Sequence, residues 1–574
     1  MEKEITLEEI QNFKGKYPKQ LWSLFLVEMW ERFTFYGMRA LLALYISHLI
    51  LSVDYNPLSP SELESKKIEF QKQNKEVLSQ DHPRYYIETS QQKYRDQAES
   101  TSNKKYGLIQ AFIYAMAFVG GMFADKIFGF RKSVFWGGVL LALGTFIMAI
   151  PGAFSFYLGI SILIVGNGFF KPNISTMVGS LYKDDDPRRD AGFSLFYSGI
   201  NIGALLSGLT IAYIGTSISW SLGFALSGVC MLMGLGLFMK TQKTLGPIGL
   251  PPFPDKLFEK SSFGITNNLM VYLGSLLFIP FFFIMVYYPF DIDFTFLFGN
   301  LTNDNGGLIK DEAGNLIPYL VQFSDLFMIT IAVVILIYLG VILSKVKKEE
   351  FGKLAVAIIL ILFSALFWSF FEQGGGSLNF YANGNVNNLG LNMTQVNNSI
   401  NALWVVALAP VIGLLWIFLA RKKAEPNTIV KFGLGFLILG LGFLVFYWSK
   451  FLATPNGLTP LWTFIFAYLV ISVGELCLSP IGLSMITKLS PKRLTGMMMG
   501  TWFLASAYGQ YGAGLIGAAL AKGDGSSENL SNFDKLTQYT NGYQSIGYIA
   551  VAAGLLLIVI SPLLKKLMKE VKMD

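Results

Sequence analysis

The sequence predicts an all-α membrane protein with fourteen membrane-spanning helices. Hydrophobic residues make up 53% of the chain and charged residues only 14%, and the mean hydropathy is +0.48. This balance is too apolar for a soluble protein. The apolar residues are gathered in fourteen runs that are long enough to cross a bilayer. The runs are residues 21–51, 105–124, 131–150, 154–178, 191–213, 219–239, 267–289, 323–344, 353–375, 398–420, 429–449, 460–487, 495–520 and 542–564.

The basic residues predict how these helices are oriented. Lysine and arginine cluster in alternate loops, whereas the loops at 151–153, 214–218, 378–397 and 451–459 contain neither. Because cytoplasmic loops are enriched in basic residues, we expect the basic loops and both termini in the cytoplasm, and the chain in the cell (inner) membrane. The net charge of +7 then needs no nucleic-acid partner. The clusters are Lys126/Arg131/Lys132, Lys183/Arg188/Arg189, Lys240/Lys243, Lys345/Lys347/Lys348, Arg421/Lys422/Lys423, Lys488/Lys492/Arg493 and Lys565/Lys566.

The first apolar run contains four charged side chains. Glu28, Glu31, Arg32 and Arg39 fall with Tyr36 on one broad helical face at 100° per residue. Each charge at a membrane centre costs about 2.5–3.5 kcal/mol, so this face is expected to line water, a ligand or partner charges. A structural ion pair with a neighbouring helix is the alternative. The opposite face is expected to contact lipid, and it carries Met29, Phe33, Met38, Leu41 and Leu44.

Three later runs also place single charges within the membrane. Lys171 precedes Pro172, which frees a backbone carbonyl that protein or water must satisfy. We interpret Lys171 as the cation for a substrate carboxylate or a facing acid; a lysine that extends to the membrane surface is the alternative. Glu372 comes before three glycines, which allow a helix end to bend. Glu475 lies deep in the run 460–487.

Several of these segments resemble the signatures of the proton-dependent oligopeptide transporters (the POT family), a branch of the major facilitator superfamily. The matching segments are ExxER with FxxYGMRA in the first helix, GxGxxKPN in the fourth and ExxxSPxGLS in the tenth, and the matches extend from Glu28 to Trp502. The resemblance implies the major facilitator fold, with two six-helix bundles. As in prokaryotic members, two accessory helices are expected between the bundles, at 267–289 and 323–344.

The predicted organisation follows from these assignments. The segment 52–105 is expected to hold one or two solvated helices after Ser59 and to take no part in transport. His82 lies in that segment and is interpreted as an ordinary surface residue. The predicted units are 1–51 (cytoplasmic N-terminus and first helix), 52–105 (extracytoplasmic insertion), 106–240 (remainder of the first bundle), 241–352 (linker with the accessory helices), 353–567 (second bundle) and 568–574 (cytoplasmic tail).

The resemblance implies a symporter that imports di- and tripeptides together with protons, and that acts as a monomer in the lipid bilayer. Arg32 and Lys171 are expected to bind the peptide carboxylate, and Glu475 and Asn401 the amino terminus. Asn401 begins its predicted helix, so a helix cap is an alternative. Further substrate contacts are expected from Tyr36, Tyr114, Phe169, Asn201 and Trp502. For Trp502, a buried tryptophan with a partner for its N–H is the alternative.

The resemblance also implies gating and proton-coupling residues. An Arg39–Glu372 pair is expected to close the outer side, and Lys171 is expected to pair with Glu475. The loop Gly120–Lys132 resembles a superfamily motif in which Asp125 and basic residues make interhelical pairs in one conformation. Animal members carry a proton-coupling histidine in the second helix, and residues 105–124 have none. The proton carrier is therefore expected to be a carboxylate beside Arg32 or Arg39; the candidates, in order, are Glu31, Glu28 and Glu372.

Two positions depart from the family pattern, and three other functions are considered. Phe35 precedes Tyr36 where the family often has a second tyrosine, and Asn383 lies near a position where the family's outer gate uses an acid. A transporter of nitrate or of a drug-like amphiphile is the second choice. An enzyme would need a nucleophile–base pair or a metal site, which two histidines and two apolar cysteines do not supply, so neither a metal nor a cofactor is expected. An inert scaffold would not need so many buried charges.

Overall fold

The computed structural model describes residues 5–54, 65, 68, 92–183, 186, 188–260, 264–288, 290–301, 308, 315–491, 494–522 and 531–569. Its α-helices are α1 (Leu7–Gln11), α2 (Lys19–Asp54), α3 (Gln92–Phe123), α4 (Phe130–Met148), α5 (Ala153–Gly179), α6 (Arg189–Ser217), α7 (Trp220–Thr241), α8 (Pro254–Phe258), α9 (Asn267–Tyr287), α10 (Thr295–Phe298), α11 (Phe323–Lys345), α12 (Lys348–Phe371), α13 (Ser377–Asn385), α14 (Met393–Arg421), α15 (Thr428–Ser449), α16 (Leu461–Leu489), α17 (Thr495–Lys522) and α18 (Asn532–Lys569).

Shorter elements connect the helices. A π-turn, Ala124–Phe128, follows α3, and 3₁₀ turns follow α7, α12 and α15 at Gln242–Leu245, Glu372–Gly375 and Lys450–Leu452. Strands β1 (Asp291–Asp293) and β2 (Leu320–Gln322) pair antiparallel between the two accessory helices, with Asp291 opposite Gln322. Sequence patterns predicted neither this small sheet nor α13.

Within the described residues, thirteen helices are long and apolar enough to span a membrane. They correspond to thirteen of the fourteen predicted spans, and the remaining predicted span, 495–520, forms α17. Helices α2–α7 pack together as one half, and α12 with α14–α18 as the other. The accessory helix α9 packs on α5, and α11 packs on α9 and α12. The chain is thus an integral membrane protein, and the two predicted six-helix bundles with two accessory helices are confirmed.

The predicted lipid-facing side of the first helix is wrong. Phe33, Met38, Leu41 and Leu44 are all buried, because α6 and α7 pack against α2. Gly203 of α6, for example, lies so close to α2 that a Cβ there would be 3.0 Å from the Phe33 backbone nitrogen. The charged stripe of α2 is therefore held in place by protein on the opposite side of the helix.

Two helices begin well before their apolar runs. α3 starts at Gln92 rather than near 105, and α18 starts at Asn532 rather than at 542. The added turns are polar in sequence, yet Glu99, Asn103 and Lys535 are buried. The end of the predicted insertion is thus part of a packed helix. The solvated helices predicted after Ser59, and His82, lie outside the described residues.

The two halves are in contact at the end that the basic residues predict to be outside. The Asn379 amide donates to the Ala40 carbonyl at 3.2 Å, and the Asn392 amide donates to the Thr216 and Ser217 hydroxyls at 2.8 Å each. Each bond joins the second half to the first. The predicted outer end is therefore closed in this structure.

The crossing of α3 and α17 depends on a close approach of two glycines. A Cβ at Gly107 would lie 2.5 Å from the Gly514 Cα, whereas nothing lies within 4 Å of one at Gly340 on α11. We expect Gly107→Val to destabilise the protein by about 1–3 kcal/mol through overpacking, and Gly340→Val to be nearly neutral. Thermal unfolding in detergent, followed by tryptophan fluorescence, measures both. Equal melting temperatures for the two variants would contradict the close packing.

Candidate functional site

The centre of the first half contains an ionic cluster on α2. The Arg32 guanidinium Nε lies 2.9 Å from Glu28 Oε1 and 2.5 Å from Glu31 Oε2. All three side chains are at most 2% exposed. Two carboxylates thus share one guanidinium away from solvent, where charges are stable only if they are paired. The Asn167 amide on α5 also donates to Glu31 Oε1 at 3.3 Å.

Lys171 brings a second cation from α5 to this cluster. Its ammonium lies 3.9 Å from the centre of the Tyr114 ring and 6.0 Å from that of Phe35. It also interacts electrostatically with Glu28, Glu31 and Arg32. No ion pair to Lys171 forms among the described residues, so the aromatic rings hold the ammonium in place. The ammonium remains available to an anion.

Glu475 lies in the second half, in the interior of α16. The carboxylate is 8% exposed and accepts a hydrogen bond from the Asn401 amide on α14 at 3.1 Å. The same amide lies 3.0 Å from the Ser472 hydroxyl oxygen. Within the described part of the chain, no lysine or arginine pairs with Glu475, and the predicted Lys171–Glu475 pair is not formed in this conformation. A buried carboxylate without a cation is costly and favours an ammonium ligand.

The helix that carries Asn401 begins earlier than predicted. α14 starts at Met393, and Asn392 is its N-cap, with a side chain that accepts from the Gln395 backbone N–H at 2.9 Å. Asn401 lies in the third turn. The helix-cap interpretation of Asn401 is therefore wrong, and its amide is directed to Glu475 instead.

An ion pair joins the halves closer to the predicted outer end than Arg32 and Glu475. The Arg39 guanidinium on α2 contacts the Glu372 carboxylate in the 3₁₀ turn after α12, and its Nε donates to the Tyr106 hydroxyl on α3 at 2.7 Å. Nearby, the Asn397 amide donates to the Gly374 carbonyl at 2.8 Å, and Tyr468 donates to the Asn397 side-chain oxygen at 2.6 Å. These bonds hold the glycine-rich turn that carries Glu372.

Tyr36 connects the charged groups of both halves. Its phenol interacts electrostatically with Arg32 and Arg39 of the first half and with Glu372 and Glu475 of the second. Its ring also lies 5.7 Å from the Arg39 guanidinium carbon. Tyr36 therefore lies near charged groups of both halves.

The remaining predicted site residues lie in different surroundings. Phe169 is fully buried and packs on Phe123 and Phe128, and its predicted substrate contact stays a prediction. Trp502 is 8% exposed and packs against Gly482 and Phe432. The Asn201 amide donates to the Tyr197 carbonyl one turn earlier at 3.1 Å. The predicted substrate contacts of Trp502 and Asn201 stay predictions.

Asn383 and Asp125 form no hydrogen bond or ion pair between the halves among the described residues. The Asn383 amide donates to the Thr394 hydroxyl at 2.9 Å, and both residues belong to the second half. Asp125 is exposed in the π-turn after α3, and it forms no ion pair among the described residues. In that loop Arg131 donates to the backbone carbonyls of Gly246 and Ile248. The loop thus contacts the segment after α7, and the interhelical ion pairs predicted there are absent from the described residues.

Three polar partners of the site were missed in the sequence. Asn167 precedes Lys171 by four residues and Ser472 precedes Glu475 by three, so helical spacing places each pair on one face. That spacing was a usable signal. Tyr106, which binds Arg39, begins the second apolar run and gave no such signal. The assembled site presents charged and hydrogen-bonding groups, which suits recognition of a solute.

Comparisons with known proteins agree with this architecture. The family model described as the POT family matches residues 131–535. The transporter YclF of Bacillus subtilis (strain 168) is 31% identical over 563 residues, covering 97% of this chain and 96% of that protein. Peptide transporter YePEPT of Yersinia enterocolitica is 31% identical over 510 residues, covering 87% of this chain and 88% of that protein. A di-/tripeptide transporter of Lactococcus lactis subsp. cremoris is 28% identical over 565 residues, covering 97% of both chains.

Solved structures are similar over nearly the whole chain. The crystal structure of a peptide transporter POT in complex with sulfate has a TM-score of 0.71 and 28% identity, covering 98% of this chain and all of that one. A POT family transporter in complex with 5-aminolevulinic acid has a TM-score of 0.69 and 26% identity, covering 97% of this chain. The resemblance read from the sequence motifs is confirmed: the chain is a transporter and not an enzyme, and it belongs to the POT family.

Proposed function

We propose that this protein is a proton-coupled symporter that imports di- and tripeptides. The two halves alternate around a site near the middle of the membrane, with both termini in the cytoplasm of the cell (inner) membrane. The observation that carries the proposal is the separation of charge across the site. Two cations, Arg32 and Lys171, face it from the first half, and the carboxylate of Glu475 faces it without a cation from the second.

A peptide is a zwitterion and matches this separation. Its carboxylate binds Arg32 and Lys171, and its ammonium binds Glu475 and the side-chain oxygen of Asn401. Only the two termini are common to all short peptides, so a site that recognises the termini by charge-assisted hydrogen bonds accepts many side chains. Tyr36, Tyr114 and Trp502 contact the variable side chains, and Asn201 contacts the peptide backbone.

Proton coupling follows from the charge balance of the first-half cluster. Glu28 and Glu31 together neutralise Arg32 and Lys171 when all four are ionised. A peptide carboxylate adds one negative charge, and an uncompensated buried charge costs several kcal/mol. A proton on Glu31, with Glu28 as second candidate, restores neutrality and releases Arg32 to the peptide. Binding of the peptide and binding of the proton therefore favour each other.

The outer gate is the Arg39–Glu372 pair. Protonation of Glu372 removes its charge and weakens the contact with Arg39, so the outer ends of the halves can separate. In the opposite conformation Lys171 and Glu475 pair, and Asp125 contributes to the loop contacts on the cytoplasmic side. The Yersinia and Lactococcus relatives are named as a peptide transporter and a di-/tripeptide transporter, which supports short peptides as the substrate class.

Uptake of labelled dialanine into proteoliposomes tests the proposal. An inward gradient of one pH unit is expected to support about tenfold accumulation at one proton per peptide, because one pH unit corresponds to about 1.4 kcal/mol. A protonophore is expected to abolish the accumulation and leave exchange of dialanine for dialanine. If folded protein neither accumulates nor exchanges dialanine, the peptide assignment is wrong, and nitrate or drug-like solutes are tested next.

A further inference from the structure

A second group of charges joins the halves away from the Arg39–Glu372 pair. The Lys535 ammonium, in the first turn of α18, lies 2.6 Å from Asp96 Oδ1 and 2.7 Å from Glu99 Oε2 on α3. The Lys535 and Glu99 side chains are each 7% exposed, and Asp96 is 14% exposed. All three lie in helix turns outside the predicted apolar runs.

Glu99 reaches into a polar site that belongs to the second half. The Tyr539 hydroxyl, one turn after Lys535, donates to Glu99 Oε2 at 2.7 Å. Tyr539 is fully buried and packs on Tyr381 and Tyr543. Lysine and tyrosine four residues apart on α18 thus hold one carboxylate of α3 from the same helical face.

We propose that Asp96, Glu99 and Lys535 form a second outer latch, which holds the outer ends of the halves together in addition to Arg39–Glu372. The proposal rests on transport by alternating access. α3 belongs to the first half, whereas α18 packs on α12 and α15 in the second. Separation of the outer ends must therefore break the contacts of Lys535.

The strength of the latch depends on what replaces the contacts of Lys535 when the outer side opens. In the closed state the carboxylates and the ammonium have lost water and gained one another; in the open state water hydrates them again, so the net preference is modest. Without the ammonium, two carboxylates remain buried side by side, and opening relieves both the repulsion and the desolvation. Loss of Lys535 is therefore expected to favour the outward-open state more than loss of the carboxylates does.

Spin labels on the two halves measure this preference without a substrate. Ile150, between α4 and α5, and Trp462, in the first turn of α16, are exposed by 56% and 60% and lie at the predicted outer end. Each is replaced by cysteine and spin-labelled, after Cys230 and Cys477 have been replaced by alanine. The distances between the two labels are measured by double electron–electron resonance in proteoliposomes. We expect Lys535→Met to raise the population with a longer distance at least about threefold, as a shift between two conformations.

Lys450→Met is the matched control. Lys450 is also a lysine at the outer end, but its ammonium donates to Asn541 within the second half at 2.9 Å, so its removal is expected to leave the distances unchanged. If Lys535→Met fails to fold, the pair Asp96→Asn with Glu99→Gln takes its place, with a smaller expected shift. Unchanged distances in a folded variant would overturn the latch.

The outcome for the latch is separate from that for the substrate. If Lys535→Met opens the outer side and dialanine is not transported, the latch stands and the peptide assignment fails. If dialanine is transported and the distances do not change, the transporter assignment stands and the latch fails.

Discussion

Replacing Glu31 with glutamine is expected to abolish proton-driven accumulation of peptide and to leave peptide exchange intact. Glutamine has nearly the shape of a protonated glutamate, so Arg32 is permanently released to the peptide carboxylate. The site then binds peptide without taking up a proton, and the gradient no longer drives transport. We expect gradient-driven accumulation of dialanine to fall at least about tenfold, which corresponds to about 1.4 kcal/mol of coupling, while counterflow exchange stays within about twofold.

The position of Glu31 makes the test specific. Its carboxylate contacts Arg32 and Asn167 and is fully buried, whereas Glu349, on the first turn of α12, is exposed. Glu349→Gln is therefore the matched control and is expected to transport as the wild type does. If Glu31→Gln still accumulates dialanine against its gradient, Glu31 does not carry the proton, and Glu28 is the next residue to replace. Loss of both accumulation and exchange would instead place Glu31 in substrate binding.

Charge and apolar runs predicted the architecture well, but they could not predict which face of a helix is buried. The apolar side of α2, with Met38 and Leu41, has the composition of a lipid-facing surface. Lipid and protein interiors are equally apolar, so hydropathy does not distinguish them. Small residues do carry a signal: Gly203 and Gly215 allow α6 to approach α2 closely.

Polar turns at helix ends were the second limit of the prediction. The first turns of α18 contain Asp534, Lys535 and Gln538, and hydropathy therefore placed the start of the helix near 542. The structure satisfies Lys535 with Asp96 and Glu99 from a helix more than 400 residues away in sequence. Such a partner is absent from any local window, so local patterns assign the turns to solvent.

Sequence patterns indicated charged candidate site residues more reliably than aromatic ones. Residues with charge in an apolar run, such as Arg32 and Glu475, were assigned to the candidate site because the membrane makes unpaired charge costly. Phe169 was assigned to the pocket because aromatic residues occur both in binding sites and in cores, and the sequence does not separate the two. Asn167 on α5 donates to Glu31, whereas Phe169 packs on Phe123 of α3 and on Phe128 in the turn after it.

Replacing Glu475 with glutamine is expected to weaken peptide binding, because in the proposed function it removes the partner of the peptide ammonium. Glutamine preserves the size of the side chain and its hydrogen bond with Asn401, so the loss reports on charge. Removal of one member of a buried charge pair costs about 2–5 kcal/mol, and we expect the KM for dialanine to rise at least about 30-fold. Glu425→Gln is the control and is expected to leave KM unchanged. Glu425 lies in the loop before α15, and its half-exposed carboxylate pairs with Lys431 of α15.

Ligands that lack one charge identify the end of the peptide that Glu475 binds. Wild-type protein is expected to bind dialanine more tightly than both N-acetyl-dialanine and dialanine amide. Glu475→Gln is expected to lose the discrimination against the acetylated ligand and to keep that against the amide, because Arg32 and Lys171 are unchanged. Lys171→Gln is expected to give the reverse pattern. If Glu475→Gln weakens the discrimination at both ends equally, the variant disturbs the whole site. If it weakens neither, the ammonium binds elsewhere, and the charge separation between the halves does not orient the peptide.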